Sequence, residues 1–248
     1  MTIRQRKILK NLISKYVETK KPVSSQELVK TRNFKVSSAT MRNELAALEK
    51  AGYITQPHTS AGRIPTEKGY RLYVQELIKK PDLNIKEQQV LKNRMKELEK
   101  RQDDIVRTTV RAMAELSDSI SLGIKPGERV YRYGISKLLQ QPEFADQERV
   151  KEIAEFFDDP SQYLDELTHL PANKDGDCCN VYIGEEAHFG QNYTVLVSEF
   201  KSGEGKKGYL ALLGPTRMNY ERNIPMLRYL SKLISGGMMG FLIVITVT

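Results

Sequence analysis

An α+β fold in two unequal parts is predicted for this chain of 248 residues. Three observations predict it. Apolar residues recur at helical spacing through the first 80 residues and again over 84–120. Val181-Tyr182-Ile183 and the runs 193–200 and 208–213 read as strands, and a helix follows from Tyr220 to Ser235. The charge is divided: residues 1–80 hold 17 Lys+Arg against 6 Asp+Glu, a net of +11, whereas 81–248 hold 22 against 25, a net of −3. A basic module joined to a mildly acidic one points to nucleic-acid binding in the first part.

Composition narrows the class. Hydrophobic residues at 40% and charged residues at 28% describe a globular chain, not a disordered one. No apolar run of about 18 residues is present, so a membrane span is not expected. The start MTIRQRKILK is not followed by an apolar stretch, so no signal peptide is expected and a cytoplasmic location follows. Cys178 and Cys179 are adjacent, a spacing unsuited to an unstrained disulfide or to zinc, and are expected as reduced thiols. Asp158-Asp159 and Asp165-Glu166 lack ligand-loop spacing and read as a solvated face. No metal and no cofactor are expected.

The first helix spans 4–19, with Ile8, Leu9, Leu12, Ile13 and Tyr16 on one face. Pro22 ends it, and Ser24 or Ser25 caps a short second helix over 26–30. Ser37 and Ser38 cap a third, which runs to Lys50 with Met41, Leu45 and Leu48 as its core stripe. Gly52 is placed to close that helix in the left-handed conformation. The opposite face carries Ala39, Asn43, Ala46 and Lys50, with Thr40 and Arg42 beside it, and Ser37 and Ser38 at the helix start are candidate DNA contacts with them. Small residues allow close approach, while Arg can pair with guanine, Asn with adenine, and Ala or Thr with the thymine methyl. A short helix, a turn and a capped helix with such a face make a helix-turn-helix. Tyr53-Ile54 and Arg63-Ile64 then form a hairpin punctuated by Pro57, Gly62 and Pro65, which is a wing. His58, Thr59, Ser60 and Arg63 on it are candidates for phosphate or minor-groove contact. Thr66 caps a last helix over 67–79.

These residues carry a resemblance. VSSATMRNELAALEKAGYI (36–54), QPHTSAGRIPT (56–66) and GYR (69–71), with YVET (16–19) and PVSS (22–25), resemble the heat-inducible transcription repressor family HrcA. LLQQPEF (138–144), VYIGEE (181–186) and GPTRMNY (214–220) are similar to the same family. The resemblance implies a homodimer that binds an inverted-repeat operator before chaperone genes and blocks transcription. It further implies a GAF-like second domain with an inserted dimerising segment, and the chaperonin GroEL as a partner. The fold expected is therefore α+β, with an N-terminal winged helix-turn-helix domain (1–80), a helical linker or dimerisation arm (81–128) and a truncated GAF-like α+β domain (129–248). The chain departs from the family in passing quickly through 121–128 to Arg129-Val130-Tyr131, so the early strands of that domain and much of the insert are expected to be missing.

The rest of the second part is less specific. The stretch 84–120 reads as one long helix or two, either core-facing or a coiled arm. The stretch 135–170 reads as helical. Gly203-x-Gly205 is no dinucleotide fingerprint, because no strand–turn–helix unit surrounds it. Gly214-Pro215 with Arg217 is either a small-anion cradle or a plain strand-to-helix turn. The apolar tail 240–248 is too short to cross a bilayer. Three function classes compete: a repressor, or another ligand-responsive DNA-binding regulator; a winged-helix protein-interaction module; and an enzyme. Three histidines and no nucleophile–base pairing speak against the last.

Overall fold

The computed structural model describes residues 1–31, 34, 36–58, 61–77, 82–99, 104–125, 130–158, 179–187, 190, 192–201 and 206–236. The chain falls into two compact units, Met1–Lys79 and Lys80–Thr248.

The first unit begins with α1 (Ile3–Thr19), which buries Ile8, Leu9, Leu12 and Ile13. It stops at Lys20, which takes the left-handed conformation and donates its N–H to the Tyr16 carbonyl. Ser24 caps α2 (Ser25–Lys30) in a capping box with Glu27. The backbone N–H of Ser24 holds the Glu27 carboxyl below the usual carboxylate range. Ser37 caps α3 (Ser38–Lys50). β1 (Ile54–Thr55) pairs antiparallel with β2 (Ile64–Pro65), and α4 (Glu67–Leu77) follows. A bridge between Val23 and Arg63 adds the turn after α1 to this small sheet.

The end of α3 is closed as the glycine suggests. Gly52 has φ +76°. Its N–H donates to the Glu49 carbonyl at 2.9 Å, and the N–H of Tyr53 donates to Leu48 at 3.0 Å. These two bonds satisfy carbonyls that the helix leaves open, the pattern of a Schellman motif. The Thr66 hydroxyl donates to the Gly52 carbonyl at 2.6 Å and accepts from the N–H of Gly69, so one side chain joins the end of α3 to the start of α4.

The second unit is built on a five-stranded antiparallel sheet in the order β4-β3-β7-β6-β5. Its strands are β3 (Ile120–Ile124), β4 (Val130–Tyr133), β5 (Cys179–Ile183), β6 (Tyr193–Lys201) and β7 (Lys207–Pro215). Its helices are α5 (Ile85–Glu99), α6 (Ile105–Leu116), α7 (Ile135–Leu139), α8 (Gln147–Asp158) and α9 (Tyr220–Ser235). Ile120, Leu122, Val195, Val197, Ala211 and Leu213 form one core with Leu138, Phe144, Ile153 and Phe156. Over the sheet runs α6 at close range: a Cβ on Gly123 would stand 2.4 Å from Val110 Cγ2. This α+β arrangement is the GAF-like one.

Two expectations are corrected here. The early strands are present: Ile120–Ile124 and Val130–Tyr133 pair in register Ser121↔Tyr133 to Ile124↔Val130. The helical stretch 84–120 is α5 and α6 with residues 100–103 between them, and its last residue already opens β3. Both faces of β3 are covered, so its five residues are all buried and no alternation marks it as a strand. Of the stretch 135–170, the part up to Asp158 is α7, a 3-10 turn at Pro142–Phe144 and α8. Residues 159–170, the glycines 203 and 205, Cys178 and the apolar tail 240–248 lie outside the described residues. Cys179 is a buried free thiol.

Candidate nucleic-acid interface

Helix α3 has two unlike faces. Met41, Leu45 and Leu48 are buried to within 1% and fasten it to its unit. Ser38, Ala39, Arg42, Asn43, Ala46, Ala47 and Lys50 are exposed. They form one continuous stripe, because spacings of three, four and seven return to the same side of a helix.

The cap fixes where the helix starts. Ser37 Oγ accepts the N–H of Thr40 at 3.1 Å and lies 2.9 Å from Thr40 Oγ1. Two of the expected contact residues, Ser37 and Thr40, thus spend their hydroxyls on each other and on the cap. Substituting Ser37 by alanine is expected to cost about 1 kcal/mol of stability, read from the midpoint of chemical unfolding.

The charges on α3 are sorted. Glu44 accepts from Arg4 Nη1 at 3.4 Å and Glu49 from Arg63 Nη2 at 3.0 Å. Both carboxylates are neutralised from outside the helix. Among the described residues, neither Arg42 nor Lys50 has an ion-pair partner. The stripe therefore presents unpaired cations, an amide and methyl groups. Neither Arg4, Glu44, Glu49 nor Ala47 was singled out from the sequence. Glu44 and Glu49 announce themselves only as acids on a helix in a basic segment, and their partners lie 40 and 14 residues away.

The wing is braced at its base. Gln56 Nε2 donates to the Ala61 carbonyl at 2.9 Å across the loop. Lys68 donates to the Ala51 carbonyl at 2.9 Å and lies 4.6 Å from the Tyr53 ring centroid. His58 is exposed, while Thr59 and Ser60 lie outside the described residues. The Arg63 guanidinium donates to Glu49, and its backbone bonds to Val23 in both directions. Among the described residues no group of His, Cys, Asp and Glu is placed to hold a metal ion.

The comparisons agree with this geometry. Residues 1–79 match the winged helix-turn-helix transcription repressor, HrcA DNA-binding family. Residues 70–224 match the HrcA protein C-terminal domain. This chain belongs to the HrcA family. The heat-inducible transcription repressor HrcA of Natranaerobius thermophilus is 46% identical over 124 residues, which is 50% of this chain and 36% of that relative. In that match the chain spans about a third of the relative's length. HrcA of Geobacter sulfurreducens is 24% identical over 333 residues, covering 94% of this chain and 96% of the relative. An alignment of 333 residues on a chain of 248 means that this relative carries internal segments without counterpart here. A crystal structure described as a hypothetical protein shares the fold, with a TM-score of 0.78, 21% identity, and coverage of 95% of this chain and 98% of that one.

Two of the other stretches that resemble the family, 138–144 and 214–220, meet in the second unit. Arg217 Nη2 donates to Glu143 Oε2 at 2.6 Å and to Gln141 Oε1 at 2.7 Å, and its Nε also donates to Glu143. The turn at 214–217 is therefore not an anion cradle: the carboxylate of Glu143 already occupies the guanidinium. Among the described residues no helix is long and apolar enough to cross a membrane.

Proposed function

We propose that the chain represses transcription by occupying an inverted-repeat operator ahead of chaperone genes. It acts as a cytoplasmic homodimer, without catalysis. Each protomer lays the start of α3 in a major groove, and the two-fold axis of the dimer matches that of the operator. Arg42 and Asn43 read bases, Ala39 and Ala46 allow close approach, and Lys50 and the wing at His58, Thr59 and Ser60 contact the backbone. The observation that carries this reading is the sorted charge of α3: every carboxylate on it is paired and, among the described residues, its exposed cations are not. Chaperonin GroEL is the proposed partner that maintains the active repressor. With internal segments missing relative to longer HrcA proteins, the dimer is marginal, so its melting midpoint rises with protein concentration.

The test is salt-titrated binding of the purified chain to an inverted-repeat operator and to a scrambled duplex. The expected result is operator preference with a steep salt dependence, close to −0.9 per neutralised phosphate in log–log form. Equal weak binding to both duplexes, flat in salt, overturns the reading and favours a protein-interaction module.

A further inference from the structure

We propose that Arg63 is a positioning residue of the reading surface. It tethers the wing to the end of α3 and cancels the charge of Glu49, and it does not itself hold the duplex. The inference rests on the assignment of α3 as the groove helix.

The wing strand is pinned to the body at this residue. The Arg63 N–H donates to the Val23 carbonyl at 2.8 Å, and its carbonyl accepts the Val23 N–H at 2.9 Å. The approach is too close for a side chain one residue earlier: a Cβ on Gly62 would stand 2.5 Å from the Val23 carbonyl carbon. From this fixed backbone the side chain crosses to α3. Nη2 donates to Glu49 Oε2, and among the described residues the buried Nε has no hydrogen-bond partner. The two side chains retain only 26% and 32% of their exposure. A guanidinium so held is not available to follow a phosphate.

Glu49 explains the need for it. It follows Arg42 by seven residues, which places both on one edge of the helix, offset by only about 20°. A bare carboxylate on the edge that carries a base-reading arginine would face the phosphate backbone and repel it. Arg63 removes that charge and sets the distance from wing to helix in the same contact. Arg4 does the first job for Glu44, on a different part of α3 and without the tether.

The experiment compares the full chain with Arg63→Ala, Arg63→Lys, Glu49→Gln and the Arg63→Ala/Glu49→Gln double variant. Operator and scrambled duplexes are titrated with salt, and amide exchange at Ile54, Thr55 and Ile64 is followed without DNA. Arg63→Ala and Glu49→Gln are each expected to lower the operator-to-scrambled ratio about tenfold, and the double variant no further. The salt slope of the double variant, in which no carboxylate is bared, stays that of the parent chain, and the three wing amides exchange faster. Arg63→Lys, which keeps a charge on Glu49, restores most of the ratio. A slope shallower by about 0.9 in the double variant, with equal loss on both duplexes, overturns the proposal and makes Arg63 a phosphate contact. So does a ratio or a wing exchange unchanged in either single variant. If the parent chain itself shows no operator preference, the DNA assignment fails, and unchanged wing exchange then rejects the tether independently.

Discussion

Replacing Arg42 by alanine is expected to weaken operator binding by about 1–3 kcal/mol, a roughly 5- to 150-fold loss, and to relax selectivity at one base pair. The residue is exposed near the start of α3, where helix-turn-helix proteins contact base edges, and no acid on the helix competes for it. Both acids that could have done so are held elsewhere. The loss should therefore be concentrated on the operator. Scrambled DNA should lose only what a cation near phosphates contributes, because non-specific binding is a charge effect. The check is a titration of both duplexes at several salt concentrations. An equal loss on both would reduce Arg42 to a phosphate contact and move base reading to Asn43. Lys50→Ala offers the control: it should weaken both duplexes alike and flatten the salt slope by about 0.9.

What the sequence reveals and what it conceals divide along physical lines. The three N-terminal helices are legible because their signals are local. Serines cap α2 and α3, apolar residues recur on one face, and Gly52 ends α3 in the conformation for which glycine pays no steric penalty. The exposed stripe of α3 follows from the same periodicity. β3 is hidden for the opposite reason. It lies between β4 and β7 with both faces covered, and it contains a serine and a glycine that break its apolar run. Gly123 is needed where α6 passes close, a packing demand with no sequence signature of its own. The ion pairs of the interface are hidden because their partners come from α1 and from the wing. A spacing of 40 or 14 residues carries no periodic signal. Arg63 shows the consequence. As a basic residue on a wing it reads as a DNA contact, and its ion pair with Glu49 carries no sequence signal.

The largest effect on stability is expected at Arg217. Its substitution by alanine should cost about 3 kcal/mol, at the lower end of the range for breaking a buried ion pair. Its side chain keeps 7% of its exposure, and Glu143 keeps 24%. Removing the guanidinium strands a carboxylate that is three-quarters out of water and takes one hydrogen bond from Gln141 Oε1. Glu143 is not fully enclosed, so it recovers some hydration, which argues for the lower end of the range. The contact also joins residues 74 and 76 positions apart, from the 3-10 turn at Pro142–Phe144 and from the β7–α9 connection. Its loss loosens two elements at once. For a unit of this size the melting midpoint should fall by roughly 6–12 °C. Arg217→Lys should recover only part of this, because an ammonium cannot form the planar fork that reaches both oxygens of Glu143 together with Gln141. Replacing Arg217 and Glu143 together by methionine and leucine should be much milder than either single change, since no charge is left stranded. Thermal and chemical unfolding of the four proteins measure this directly. An unchanged midpoint in Arg217→Ala, combined with stabilisation of the parent chain by millimolar inorganic phosphate, would mean that the turn holds an anion and that Glu143 yields its place to it.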